Sequence, residues 1–166
     1  EVEVDPHTDI ADIFKNDKEI EDNVKDANET IKKLAEYKWK LNDDKTLLEY
    51  LKLNDEFNKN NDKRFLYSDL WESLDIKDSK MSTLSQQFGT INSEYQKSTA
   101  FFGVEVKGFN DARFDSLIKN PDFKEYKEMF KSIQKEKSHI LSQDQEDIIA
   151  QLSDAYIWFS TTYSKL

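Results

Sequence analysis

NDKEIEDNVKDANETIKKLAEYKWKL, residues 16–41, decides the fold class. Ile20, Val24, Ala27, Ile31, Leu34 and Leu41 recur at steps of three and four, the spacing of one face of an α-helix. Glu21, Lys25, Glu29 and Lys33 lie off that face at four-residue steps of alternating sign, which supports an isolated helix turn by turn. Asn16 is an N-cap residue with Glu19 at the reciprocal capping-box position, so the stretch predicts a helix from about Asn16 to about Leu41.

The same pattern extends outward. Upstream, Ile10-Ala11-Asp12-Ile13-Phe14 predicts one or two turns that tuck Ile13 and Phe14 against the bundle. Downstream, Asn42-Asp43-Asp44 interrupts the apolar face and caps a second helix carrying Leu47, Leu48, Leu51, Phe57, Phe65, Leu66, Leu70, Trp71 and Leu74. Asn54, Asn58, Asn60 and Asn61 are poor helix formers, which predicts a kink or a wet patch near 58–62. A third helix starts near Asp78 or Ser79 with Met81, Leu84, Phe88, Ile91, Tyr95 and Phe102 on one stripe. At about 24 residues it spans roughly 36 Å.

Three glycines and two prolines punctuate the whole chain, and Gly103 and Gly108 fall close together, after which the elements shorten. Asn110 caps a short helix with Phe114, Leu117 and Ile118. Asn120-Pro121 pairs an N-cap with proline at the first helical position and opens a helix with Tyr126, Phe130 and Ile133 inward. A last helix starts at Ser142. The expectation is an all-α bundle of long antiparallel helices, with shorter helices toward the C-terminal half. No repeat, low-complexity tract or Gly/Ser linker divides it, so residues 1–166 read as a single α-helical domain.

Composition narrows the function classes. The 166 residues carry 24 Lys and Arg against 34 Asp and Glu, a formal charge of −10, with no basic stripe to track a phosphate backbone. Nucleic acid is therefore excluded as a partner. No apolar run approaches the roughly 18 residues of a membrane span, and Glu1-Val2-Glu3-Val4-Asp5-Pro6 is acidic where a signal peptide is basic. With no cysteine in the chain, the reading is cytoplasmic, without membrane partners.

Lys137-Ser138-His139-Ile140-Leu141-Ser142-Gln143-Asp144-Gln145-Glu146 is an ordinary helix start. Ser142 is the N-cap, Gln145 takes the capping-box position, and Asp144, Glu146 and Asp147 face the positive end of the dipole. The combination of His139, Leu141, Ser142 and Glu146, followed by Ile148-Ile149-Ala150-Gln151-Leu152-Ser153, also resembles the end of the N-terminal helical region of oligoendopeptidase F, a thimet-type zinc metallopeptidase family. Asp9–Phe14, Ile31–Leu41, Ser98–Phe102 and Asn120–Tyr126 resemble further stretches of that region, in the same order. Two positions depart from it. Trp39 stands where the family often has glycine, and Tyr156-Ile157-Trp158-Phe159 is more aromatic than the usual continuation.

The resemblance implies a parent enzyme that hydrolyses short peptides with one zinc, held by an HExxH helix and a downstream glutamate. Residues i and i+4 share a helical face, which is why both histidines of such a motif meet one ion. This chain has no HExxH, and His7 and His139 lie near opposite ends. No catalytic, cofactor-binding or metal-binding residue is carried over; zinc belongs to the parent enzyme. His139 beside a capping serine reads as a structural histidine bonded to a carbonyl or carboxylate rather than as an acid or base. Asp43-Asp44 and the acids after Ser142 read as helix starts, since no glycine-containing calcium loop surrounds them. The aromatic content, eleven Phe, seven Tyr and three Trp, reads mainly as core.

The last helix carries a different signal. At about 100° per residue, Ala155, Tyr156, Ile157, Trp158 and Phe159 point all around the axis, so one bundle face does not bury them. Tyr156, Trp158 and Phe159 are the candidate interface to a catalytic domain. The expected function is the N-terminal substrate-channel lobe of a zinc-dependent oligoendopeptidase, its partners being the catalytic domain and short peptides passing through the joint channel. This chain alone is expected to be inactive. The alternative is a stand-alone helical adaptor without enzymatic activity.

Overall fold

A computed structural model describes residues 12–73 and 79–139. Among them the regular elements are all helical: α1 (Asp17–Ala35), α2 (Asp44–Ser73), α3 (Ser79–Lys107), α4 (Asp111–Lys119), a 3₁₀ segment (Pro121–Tyr126) and α5 (Lys127–His139). The chain separates into two compact units, Glu1–Gly108 and Phe109–Leu166.

In the first unit the three long helices pack against one another, and the contact pairs give the direction of each. Phe14 meets Tyr67, Glu19 meets Lys63 and Tyr37 meets Tyr50, so α1 and α2 run antiparallel. Phe57 stacks on Tyr95 and Tyr50 on Phe102, so α2 and α3 do too. Leu34, Leu41, Leu47, Tyr50 and Phe57 are buried, with Met81, Phe88, Ile91 and Phe101 from α3. Each such side chain contributes about 1.5–3 kcal/mol. Asn16 caps α1 as expected: its Oδ1 accepts the Glu19 amide at 3.0 Å, while Glu19 Oε2 accepts the Lys15 amide at 2.9 Å. Phe14 is buried as the sequence suggests.

Four expectations fail in this unit. The first helix stops at Ala35 instead of reaching Leu41, and residues 36–39 form turns. Leu41 is nevertheless fully buried, so its place in the apolar series came from core packing and not from helical register. Second, α2 is a continuous helix through 58–62, and two of its asparagines find side-chain partners: Asn54 Oδ1 accepts the Tyr95 hydroxyl of α3 at 2.8 Å, and Asn61 Oδ1 accepts from Arg64 one turn along the same helix at 3.1 Å. Third, Phe65 and Leu66 face solvent at 45% and 52% exposure, while Arg64 and Tyr67 take the inward positions. Fourth, Gly103 lies inside α3, which ends only before Gly108, so α3 has 29 residues where about 24 were expected.

The second unit follows local signals more closely. Asn110 Oδ1 accepts the Arg113 amide at 2.8 Å and caps α4, and Asn120 Oδ1 accepts the Asp122 amide at 3.0 Å ahead of Pro121. The single helix expected after Pro121 is divided. Residues Pro121–Tyr126 are a 3₁₀ segment ahead of α5, kinked inside at Phe123, whose φ −101° and ψ 20° are outside helical values. Phe109 packs on Phe114 and Phe123 edge-on to Phe130, with ring centroids 6.0 and 5.8 Å apart. Lys137 Nζ donates to the Phe109 carbonyl, joining the end of α5 to the start of the unit.

Candidate functional site

The sequence points to His139, Leu141, Ser142 and Glu146 as family signature and to Tyr156, Trp158 and Phe159 as interface. His139 is the last residue of α5; Leu141, Ser142, Glu146, Tyr156, Trp158 and Phe159 lie outside the described residues, as does His7. Among the described residues no group of three or more His, Cys, Asp or Glu is placed to hold a metal ion. Asp43 serves as a helix cap, its Oδ2 accepting both the amide and the hydroxyl of Thr46 at 2.9 Å.

The first unit builds three polar features that the reading of the sequence missed. One is a clamp. Glu105 on α3 accepts the Trp39 amide at 2.8 Å on one carboxylate oxygen and the Leu41 amide at 2.7 Å on the other. Those donors would otherwise bond back along α1, so the clamp accounts for the early end of that helix. Trp39 has φ 65°, the one positive value at a non-glycine residue among those described. The left-handed region is where glycine carries no steric cost, which gives a physical reason for glycine at this place in the resembling family.

The second is a buried guanidinium. Arg64 is 1% exposed, donates to Asn23 Oδ1 at 2.8 Å and Asn61 Oδ1 at 3.1 Å, and lies 5.2 Å from the Phe57 ring centre. Its Nε has no hydrogen-bond partner. Burial lowers its pKa to about 10, with the more distant Asp26 carboxylate acting against that shift. The sequence does hold a signal for it, since Tyr50, Phe57 and Arg64 follow at steps of seven along one helical stripe.

The third feature is a pair of grooves. One of about 540 Å³ lies between the end of α1 and the first half of α2, lined by Lys33, Lys40 and Lys52 and by Glu36, Glu49 and Glu56. Its charges balance. Tyr37, also in its wall, has its pKa raised by burial first and then by Glu49 and Glu36. The other, about 420 Å³, lies between α1's C-terminal turn and α3. Its wall holds Trp39, Phe101 and Val104 with Lys38 and Lys97, and no carboxylate. Neither groove brings together a nucleophile, a base and an orienting group, so the described residues offer surfaces for binding rather than a constellation for chemistry.

The comparisons with known proteins bear on the whole chain. A family profile described as Oligopeptidase F matches residues 105–166. That span contains all of the second unit and the positions 139–146 singled out above. The resemblance to the N-terminal region of oligopeptidase F holds. Oligopeptidase PepF of Bacillus subtilis (strain 168) is 25% identical over 95% of the chain and 24% of its own length. Group B oligopeptidase PepB of Streptococcus agalactiae serotype III (strain NEM316) is 21% identical over 89% of the chain and 25% of its own length. The chain thus spans about a quarter of the length of these oligopeptidase F relatives. No solved structure matches it. No helix among the described residues is long and apolar enough to cross a membrane.

Proposed function

We propose that the chain is the N-terminal helical lobe of an oligopeptidase of the oligopeptidase F kind, one wall of a channel that admits short peptides to a zinc site carried elsewhere in the polypeptide. The observation that carries this reading is the coverage: two oligopeptidases align with about nine-tenths of the chain, while the chain accounts for about a quarter of each. Its role is steric and positional. A narrow passage excludes folded proteins, and closure of two lobes on an extended peptide aligns the scissile bond and sheds water. A cytoplasmic location and short peptides as substrates belong to the same reading.

Two measurements test it. The coding sequence beyond Leu166 should contain HExxH; a stop codon there favours the adaptor instead. The 166-residue chain, dialysed and assayed on a quenched fluorescent peptide with added zinc, should show no turnover and far less than one equivalent of metal. Turnover with near-stoichiometric zinc would place the chemistry in this chain and sink the reading.

A further inference from the structure

The groove between α1's C-terminal turn and α3 has three properties that do not follow from packing the bundle. Its aromatic wall is presented to solvent: Trp39 and Val104 are each 66% exposed, the highest values among the large apolar side chains of the described residues. The backbone that presents the indole is strained, since the left-handed region crowds the Cβ of any residue other than glycine, and the two hydrogen bonds from Trp39 and Leu41 to Glu105 hold it there. The charged side chains of its wall are basic, and the two carboxylates that border it are engaged, Glu94 with Lys97 and Glu105 with the Trp39 and Leu41 amides. In a chain of formal charge −10, the described lining contains two lysines, Lys38 and Lys97, and no carboxylate.

Each property selects among ligands. An exposed, rigidly held tryptophan beside Phe101 and Ala100 takes an apolar side chain, and aromatic anchors of this kind dominate the energy of protein interfaces. Lys38 lies near the indole, 5.6 Å from the ring centre, and Lys97 keeps a side chain that is 72% exposed although it pairs with Glu94 at 3.0 Å. The exposed Lys97–Glu94 pair is worth little, so Lys97 can exchange Glu94 for an arriving carboxylate, and Lys38 can receive a second. From Lys97 to Val104 the α3 wall is about 10 Å long at 1.5 Å per residue, the length of about three residues of extended chain. The neighbouring groove of balanced charge makes no such selection.

We infer that this groove docks an acidic, apolar segment of a partner polypeptide: about three extended residues, an apolar side chain against Trp39 and Val104, and flanking carboxylates on Lys38 and Lys97. The surface is distinct from the channel role proposed above, and its test reads binding, not hydrolysis.

The probe is an acetylated, amidated tetrapeptide Glu-Leu-Phe-Glu, titrated into the 166-residue chain while the Trp39 indole N–H resonance is followed, assigned by its loss in Trp39→Phe. A saturable shift is expected, with binding at least about fivefold weaker for Lys-Leu-Phe-Lys. The double variant Lys38→Glu/Lys97→Glu should reverse that preference. Trp39→Gly removes the ring while relieving the left-handed strain, so it tests the anchor without threatening the fold; its indole signal being gone, its affinity is read by titration calorimetry beside that of the natural chain and should be about tenfold weaker. Equal affinity for the two peptides, an unchanged affinity in Trp39→Gly, no saturable shift, or a response to dodecanoate in place of the acidic peptide would each overturn the inference. None of these results bears on HExxH beyond Leu166, so this inference and the lobe reading fail separately.

Discussion

The two units differ in how far their stabilising contacts reach along the chain. In the second unit, Asn110 and Asn120 bond amides two or three residues away, and phenylalanines supply the core. In the first, the polar ties are long: Arg64 to Asn23 crosses 41 residues, and Glu105 to Trp39 crosses 66. The difference teaches where prediction from local pattern succeeds. A cap is decided by its own neighbours, whereas a carboxylate that ends a helix from the far side of the bundle leaves no trace in that helix's own residues.

The largest expected effect tests whether the second unit depends on its aromatic core. Phe130 is fully buried and edge-on to Phe123, so Phe130→Ala should cost about 3–5 kcal/mol in a denaturant melt. A loss below about 1 kcal/mol would mean that the core collapses around the gap and is not closely packed.

Next comes Arg64, which separates charge from volume in the first unit. Arg64→Ala opens a cavity and leaves Asn23 and Asn61 without their donor, a loss of about 3 kcal/mol. Arg64→Met keeps the volume and removes a charge whose burial is costly, so its unfolding midpoint should equal or exceed that of the natural chain. If Met proves as damaging as Ala, the guanidinium bonds hold α1 and α2 together and the long-range polar ties are stronger than proposed here.

Glu105→Gln sharpens the contrast further. An amide has one acceptor oxygen where the carboxylate has two, so one of the Trp39 and Leu41 amides loses its partner at about 1–2 kcal/mol. Much of that loss should vanish in a Trp39→Gly background, where the turn is no longer strained and relies less on the clamp. Independent, additive effects of the two changes in a double-mutant cycle would break the link between clamp and strained turn.

The smallest effect is the local one. Asn110→Ala should cost about 1 kcal/mol and should leave the Trp39 indole resonance of the first unit unmoved. A shift of that resonance would show that even this cap acts beyond its own turn.

Much of the molecule was legible from particular residues. Steps of three and four from Ile20 to Leu34 announced α1, Asn16, Asn110 and Asn120-Pro121 marked starts where the structure has them, and Ser79 opens α3 as expected. The order of short matches pointed to the oligopeptidase F region. Phe65 and Leu66 misled because hydrophobicity names a candidate for burial while helix phase decides it, and phase gave the inward place to Arg64. The asparagines of α2 misled because intrinsic propensity is worth tenths of a kcal/mol per residue, less than a side-chain hydrogen bond such as Asn54 makes to Tyr95 across the bundle or Asn61 to Arg64 along its own helix.

By itself, then, the sequence determined that this protein is helical, where most helices begin and which family it resembles, because caps, periodicity and motif order are written within a few residues of where they act. Only the tertiary structure decided where α1 ends, that a guanidinium belongs in the core, and that Trp39 is held outward in a left-handed turn. Those outcomes depend on Glu105 and Asn23 arriving from other helices. A donor or acceptor brought by folding sets the balance of such groups, and no window of neighbouring residues contains it.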